Sequence, residues 1–303
     1  MVRTQQNRRR RPVKLATYNI QYSLGKDGSY ELERSIDAVR GADVIALQEV
    51  TRNFAQTPDA DQPARIAELL PEYYWVYGPP VDLDASVRGA DGRIDNKRLQ
   101  FGNMLLARWP ILSKRLLLLP RRRTFDRINP QCGALEGIVD CPGGPLRVYS
   151  VHLNYLNPEE RMAQIEWLLP QMFDVPRTGA VLSGPEQPWI GEASRKEPVS
   201  EDFAVLGDCN LLPDSPEYTR IVGEADYYEG SRIVADHLVD TWVQTGHAQD
   251  EGGTWFEPGA AQSIGRLDYG FVSASLAAKV TSAWIDDEAT GSDHQPTWFE
   301  LDL

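Results

Sequence analysis

Two segments near the C-terminal end, Arg266-Leu267-Asp268-Tyr269 and Gly291-Ser292-Asp293-His294-Gln295-Pro296, hold the residue types of a proton-transfer pair. A carboxylate that accepts from one ring nitrogen of a histidine fixes its tautomer and raises its basicity, leaving the other nitrogen to take a proton from water. Asp268 is read as the orienting carboxylate and His294 as the base. An isolated Asp-His dipeptide is more often a solvated polar turn, so its weight depends on three earlier segments.

Leu15-Ala16-Thr17-Tyr18-Asn19 alternates as a strand, and the apolar run from Asp43 ends in Gln48-Glu49. Asn19 and Glu49 are therefore expected at strand C-termini. A carboxylate beside a core needs a cation or polar partner, since its unpaired burial costs several kcal/mol or shifts its pKa. Leu146 to Asn154 is a further alternating strand, with His152 near its end. Phe203 to Asn210 closes in Gly207-Asp208-Cys209-Asn210, where Asp208 and Asn210 would share one side of extended chain and Cys209 would turn into the core. Together Asn19, Glu49, Asp208, Asn210 and Asp293 offer hard oxygens, and His152 and His294 two imidazoles. Such a set suits Mg²⁺, or Mn²⁺ on the same oxygens, whereas zinc would ask for more His or Cys. His237 and His247 sit in no motif and read as ordinary polar residues.

Five separated motifs, Tyr18-Asn19-Ile20, Leu47-Gln48-Glu49, His152-Leu153-Asn154, Gly207-Asp208-Cys209-Asn210 and Ser292-Asp293-His294, resemble in type and order the endonuclease/exonuclease/phosphatase superfamily. These are the DNase I-like, metal-dependent phosphoesterases, which include abasic-site endonucleases, inositol polyphosphate 5-phosphatases and neutral sphingomyelinases. Phe101 to Ile111 is similar to the strand that leads into the family's site. The resemblance covers nearly the whole chain after residue 12. It implies an α/β (α+β) fold, a four-layer αββα sandwich of two packed mixed sheets with helices outside each. It further implies Glu49 as metal ligand, with Asn19 as a second ligand or a hydrogen-bonding neighbour, and Asp293 completing the metal shell or orienting water. Asp208 would serve the nucleophilic water or a second metal. Asn210 and His152 would meet phosphate oxygens, and Asn103 is a weaker candidate for the same contact. The family's small polar turn after Asn19 is replaced here by Gln21-Tyr22-Ser23-Leu24-Gly25, so any further ligand is left open.

Periodicity independently predicts strands at 13–20, 44–50, 101–107, 134–140 and 146–153 and amphipathic helices at 31–40 and 159–172. Asn157-Pro158-Glu159-Glu160 is a helix start with Pro and acids in the first turn. No linker, repeat or heptad divides the chain, so residues 13–303 are expected as one domain behind a basic tail at 1–12. Residues 177–202, carrying Trp189 among Pro and Gly, read as a loop insertion: a wall or lid over substrate, or a plug against the sandwich. By family order, Gly252-Gly253-Thr254-Trp255-Phe256-Glu257-Pro258 is a second aromatic loop near the site.

The formal charge of −13 opposes sequence-independent binding of duplex DNA, which needs a field of Lys and Arg. Arg121-Arg122-Arg123 and Arg127 form a local basic cluster, a solvated loop or a contact for a phosphorylated substrate. Three cysteines cannot all pair within one chain, which favours a reducing compartment, with a Cys132–Cys141 bridge kept for an exported protein. With no leader or apolar span in the sequence, a cytoplasmic location is the default expectation. The eight Trp read mostly as core, and oligomeric state is not encoded legibly. The expected activity is metal-dependent hydrolysis of a small phosphodiester or phosphomonoester, such as a lipid head group, sugar phosphate or nucleotide, by in-line water attack. The rivals are a nuclease acting on DNA or RNA and a non-catalytic binding protein on the same scaffold.

Overall fold

The computed structural model describes residues 11–303 except 180, 186, 190, 192–199, 227–229, 231, 258 and 261. Most of the basic tail and much of the 177–202 segment, including Ile190, lie outside the described residues, as does Pro258. One six-stranded sheet comprises β1 (Val13–Asn19), β2 (Val44–Arg52), β3 (Tyr74–Asp84), β6 (Arg98–Ala107), β13 (Val280–Ile285) and β14 (Thr297–Leu301). Its order is β13-β14-β1-β2-β6-β3, with β1 and β2 parallel and the other neighbours antiparallel. A short ribbon, β4 (Val87–Arg88) with β5 (Ile94–Asp95), lies within the β3–β6 hairpin.

The second sheet contains β7 (Ile111–Leu118), β8 (Gly133–Cys141), β9 (Gly144–His152), β10 (Phe203–Asp208), β11 (Leu238–Asp240) and β12 (Asp268–Ser273). It runs β11-β12-β10-β9-β8-β7, with only β9 and β10 parallel. Between the sheets lies one core cluster that includes Leu15, Val44, Leu135, Val148, Leu206 and Phe299. Alternate residues of β1 and β2 face outward instead, where Tyr18, Ile45 and Leu47 pack against α1 (Leu32–Asp37) and α2 (Gln62–Leu69). On the far side, Tyr149, Val205 and Phe271 meet α3 (Pro158–Phe173) and α5 (Pro216–Val222). Both faces of each sheet are thus covered, which is why the central strands read as nearly continuous apolar runs. This is the αββα sandwich that the motifs imply. The shorter helices α4 (Val175–Thr178) and α6 (Thr241–Gln244) complete the α-helices among the described residues.

Asn157 caps α3, accepting from the backbone N–H of Glu159 and Glu160, with Pro158 at the first helical position. The structure departs from the periodicity reading in other places. The helix expected at 31–40 occupies only Leu32–Asp37, and α2, β3, β7, β13 and β14 have no counterpart in that reading. Edge strand β3 carries Pro79-Pro80, tolerated because the pair forms a bulge opposite Gly102. The Trp expectation also fails in part: Trp242 and Trp298 are buried, while Trp75, Trp167 and Trp189 are exposed. Trp189 is 81 % exposed and so plugs nothing. All three cysteines are buried and free, and Cys209 joins the core beneath α3 and α5.

Gly207 is required by close approach. A Cβ there would meet the Val151 carbonyl oxygen at 1.9 Å on the adjacent parallel strand. Gly207→Ala is expected to force β9 and β10 apart and to cost about 1–3 kcal/mol of unfolding free energy, measured by urea denaturation.

Candidate active site

The site gathers at one end of the sandwich, where several strands stop together. Register places Asp208 opposite His152 on β9 and opposite Asp268 on β12, so three candidate residues stand in a row across one sheet. Asn19, Glu49, Asp293 and His294 come from the other sheet and its connections.

Glu49 does not end its strand. Gln48 and Glu49 together face the single residue Asn103, a β-bulge between the Leu47–Met104 and Val50–Gly102 pairs, and Glu49 has φ +60°. A non-glycine residue in that region is costly and persists only where its surroundings fix it. Here Gln48 points inward and is fully buried, accepting from Thr17 Oγ1 at 3.2 Å and donating to Ser150 Oγ at 2.9 Å. The bulge thereby turns Glu49 toward the second sheet. Asn210 likewise has φ +52°, so the extended-chain argument that put it on the same side as Asp208 does not apply. Its position is set by its own N–H, which donates to Asp208 Oδ1 at 2.9 Å, and by its Nδ2, which donates to the Leu153 carbonyl at 3.0 Å.

Asp208 Oδ2 is the hub. Asn19 Nδ2 donates to it at 3.0 Å and to Glu49 Oε1 at 3.2 Å, while Asn19 Oδ1 accepts from the Gln21 N–H at 3.0 Å. In this arrangement Asn19 is the hydrogen-bonding neighbour of Glu49. His152 Nε2 lies 3.6 Å from Asp208 Oδ2 and 4.0 Å from Glu49 Oε1. His294 donates through Nδ1 to Asp268 Oδ2 at 2.8 Å, and its Nε2 stands 3.7 Å from Asp208 Oδ2. That last gap exceeds a hydrogen bond and is too short to hold a water between the two atoms, so a water touching both must sit to one side of them. Arg266, next to the Asp268 motif, turns away and pairs with Asp240 at 2.8 Å in the interior.

Asp293 is held by groups the sequence does not single out. Its Oδ2 accepts from Gln21 Nε2 at 2.8 Å and Trp255 Nε1 at 3.2 Å, and its Oδ1 accepts from Ser292 Oγ at 3.2 Å. Gln21, Tyr22 and Ser23 all have positive φ, between +43° and +74°. The buried Gln62, at the start of α2, holds this left-handed turn. Its Nε2 donates to the Tyr22 carbonyl at 2.9 Å and lies 3.2 Å from Ser23 Oγ, while its Oε1 accepts from Thr51 N–H at 2.9 Å just beyond the bulge. No sequence pattern announces Gln62; the only signal for Gln21 is that it follows the Asn19 motif directly. Trp255 does lie on the aromatic loop expected near the site.

Asn103 is buried, and its Nδ2 donates to the carbonyls of Gly133 at 3.0 Å and Ser150 at 2.7 Å. Its amide N–H groups are thus committed to tying the sheets together, although it borders a recess of ≈ 70 Å³ with Glu49, His152, Phe101 and Pro130. Half-buried rings of Tyr22, Phe54 and Phe101 run in series to His152 at centroid spacings of 5.9, 6.0 and 6.3 Å. Neither Trp189 nor the Arg121–Arg123 cluster makes a hydrogen bond or ion pair with these candidates. His237 pairs with neighbouring Asp236, and His247 stacks on Trp242, both away from the site.

Electrostatics favour a bound cation. Among the described residues, Glu49, Asp208, Asp268 and Asp293 have no Lys or Arg partner in salt-bridge range; the basic groups nearest the first three are the rings of His152 and His294. Asp208, Asp268 and His294 also form a compact group of ligand atoms within 4.8 Å of one another. Since His294 Nδ1 is already spent on Asp268, this trio is better read as an acid–base pair beside Asp208 than as a metal cage. Glu49 and Asp293 lie outside that compact group, and their carboxylate oxygens are of the hard type that suits a divalent ion. Burial pulls the His294 imidazolium down, but Asp268 and Asp208, with the hydrogen bond to Asp268 and the charge of Asp293, outweigh it and raise its pKa to about 10. Burial pushes the Glu49 carboxyl up, against the pull of His152 and His294.

Paired mixed sheets with this end-on cluster define the class of DNase I-like phosphoesterases. The pattern described as the Endonuclease/Exonuclease/phosphatase family matches residues 16–294, and the chain belongs to that family, whose members are hydrolases acting on phosphate esters and generally depend on a divalent metal. Comparison with curated proteins finds no match. Among solved structures, an endonuclease/exonuclease/phosphatase from Beutenbergia cavernae DSM 12333 is 22% identical with TM-score 0.63, covering 97% of this chain and 72% of that one. A mannosyl-6-phosphatase of Bacteroides thetaiotaomicron VPI-5482 is 18% identical with TM-score 0.61, covering 95% and 99%. TDP2 of D. rerio, complexed with a single-strand DNA product, is 16% identical with TM-score 0.60, covering 97% and 100%. At these identities the likeness is one of fold.

A histidine whose folded pKa is raised above its unfolded value near 6.5 contributes stability fully present below that value and lost as pH rises through the folded pKa. In chelator-treated protein, unfolding free energy should therefore fall from about pH 6.5 to 10 on account of His294. Asp268→Asn should flatten this fall; denaturant titrations across that range check it, and an unchanged slope would contradict the assignment.

Proposed function

We propose that the chain hydrolyses a small phosphate ester, diester or monoester, by in-line attack of water. The observation that carries this reading is the line Asp268–His294–Asp208, a hydrogen-bonded base whose other nitrogen stands 3.7 Å from a second carboxylate, so that both can touch one water lying beside them. Asp268 holds the imidazole in the tautomer with Nδ1 protonated, so Nε2 is the atom that receives the water proton. Asp208 accepts from the same water and aims its lone pair at phosphorus. The P–O bond to the leaving group breaks as the new one forms, and the departing oxygen takes a proton from solvent. His152 and Asn210 would face the phosphoryl oxygens and stabilise the charge that develops on them. Asn103, whose N–H groups are spent on the inter-sheet contacts, would donate to a phosphate only if those contacts rearranged.

Glu49 and Asp293 are the groups that would hold Mg²⁺, with Mn²⁺ as substitute, while Asn19, Gln21 and Trp255 fix the two carboxylates. The ion would supply Lewis acidity to the phosphoryl and leaving oxygens, and its charge would offset the carboxylates that keep His294 protonated. The net charge of −13 weighs against a polymeric nucleic acid as substrate. The single-domain organisation of residues 13–303 accords with family motifs that run from Asn19 to His294. Among the described residues, no helix is long and apolar enough to cross a membrane.

Turnover should be measured with Mg²⁺ on a chromogenic diester, a monoester, phospholipids and plasmid DNA. His294→Ala is expected to lower kcat by about 10²–10⁴-fold with little change in melting temperature, and Glu49→Gln to raise the Mg²⁺ concentration needed for half-maximal rate. Wild-type turnover by His294→Ala under saturating metal would defeat the assignment, and cleavage of DNA alone would favour the nuclease reading.

A further inference from the structure

The chemistry above makes no use of the connection between β7 and β8. Its tip exposes Phe125 (85 %) and Ile128 (79 %), set among Arg121, Arg122, Arg123 and Arg127 with only Asp126 as an acid. A cationic segment with bare apolar side chains thus stands on a chain of charge −13. It is firmly built. The Glu160 carboxylate, 3 % exposed in the first turn of α3, accepts from the Arg122 N–H at 2.9 Å, Asn129 Nδ2 at 3.1 Å and Asn154 Nδ2 at 2.9 Å. Thr124 Oγ1 closes the tip on the Arg127 carbonyl at 2.8 Å. Arg122 pairs with Glu159 and Arg127 with Asp126, whereas Arg121 and Arg123 have no carboxylate partner among the described residues. Arg123 lies over the Phe125 ring at 4.6 Å.

Burying a carboxylate is favourable only when it is well hydrogen-bonded. Here that arrangement fixes the base of a loop whose Phe125 and Ile128 remain in water, so folding does not account for those two side chains. The loop's end, Pro130 to Gly133, lines the recess that contains Glu49 and His152. The β3–β6 hairpin, which contributes Pro80 and Phe101 to the same recess, exposes Leu83, Val87 and Ile94 farther along.

We infer that the 121–128 loop is an interfacial anchor that docks the mouth of the recess on an anionic lipid surface. Phe125 and Ile128 enter the boundary between head groups and acyl chains, and Arg121 and Arg123 meet lipid phosphates. Both halves of the patch are then used. A nucleic acid would engage the arginines and leave the apolar side chains in water, and the same loop of a second copy would set arginine against arginine. Docking is independent of catalysis; delivery of a head-group phosphate to Glu49 and His152 rests on the phosphoesterase reading.

The test is co-sedimentation of the full chain with phosphatidylcholine vesicles, with and without phosphatidylglycerol, at low and high salt. Wild type should pellet with the anionic vesicles and be released by salt. Phe125→Ser/Ile128→Ser and Arg121→Glu/Arg123→Glu should each lower the partition coefficient by at least about tenfold, with turnover of a soluble ester unchanged. His294→Ala should bind vesicles like wild type, which separates failure of docking from failure of the catalytic reading. Absence of wild-type binding, or equal binding by both double variants, would overturn the inference. So would a dimer that Phe125→Ser/Ile128→Ser dissolves, or DNA binding without vesicle binding.

Discussion

The candidate site depends on hydrogen bonds that cross between two sheets. Its residues come half from each: Asn19 and Glu49 from one, His152, Asp208 and Asp268 from the other, with His294 on the connection that enters β14. Apolar packing is non-directional and would tolerate a slide of one sheet over the other. The polar bridges do not. Gln48 to Ser150, Ser150 to the Leu47 carbonyl, Asn103 to the Gly133 and Ser150 carbonyls, and Asn19 to Asp208 all span the interface. Each buried polar group left unpaired would cost about 1–3 kcal/mol, so the set selects one alignment of the sheets. That alignment brings Glu49 to 4.0 Å from His152.

Charge is distributed with a similar division of labour. The interior of the cleft concentrates four carboxylates and two imidazoles; burial lowers the proton affinity of His294, and Asp268, Asp208 and Asp293 together outweigh it. Lys and Arg side chains are kept out of salt-bridge range there. Among the described residues many are spent on ion pairs elsewhere, two of them in the interior at Arg147 and Arg266, and others stand in the loop whose end lines the recess.

Much of this was legible in the amino-acid sequence, and for identifiable reasons. Strand-ending motifs such as Gly207-Asp208-Cys209-Asn210 combine an apolar run with polar residues that a core would otherwise exclude, and the strands bearing them were placed within a few residues. The Asp268–His294 pair followed from residue type and motif. Less was visible where position depends on positive φ. The Glu49 bulge and the Asn210 turn look like ordinary chain, because neither residue is Gly. Gln21 and Gln62 act through contacts set by tertiary structure, and Gln62 lies on a helix whose pattern was not recognised. Edge strands β3 and β7 were missed because partial exposure and, in β3, two prolines blur the alternation. Trp75 and Trp167 defeated a composition argument: large aromatic side chains often leave part of the ring at the surface.

Gln62 belongs by sequence to a peripheral helix, yet its one amide group joins three backbone segments: the start of α2, the left-handed turn at 21–23 and the strand beyond the Glu49 bulge. Two of these hold residues in sparsely populated conformations, each of which stores on the order of 1–3 kcal/mol. The amide acts as a shared latch. Fraying of α2 would release both distortions together, making helix, turn and bulge one cooperative unit whose opening dismantles the Glu49 and Asp293 positions at once. The outer layer is therefore thermodynamically linked to the chemistry it never touches.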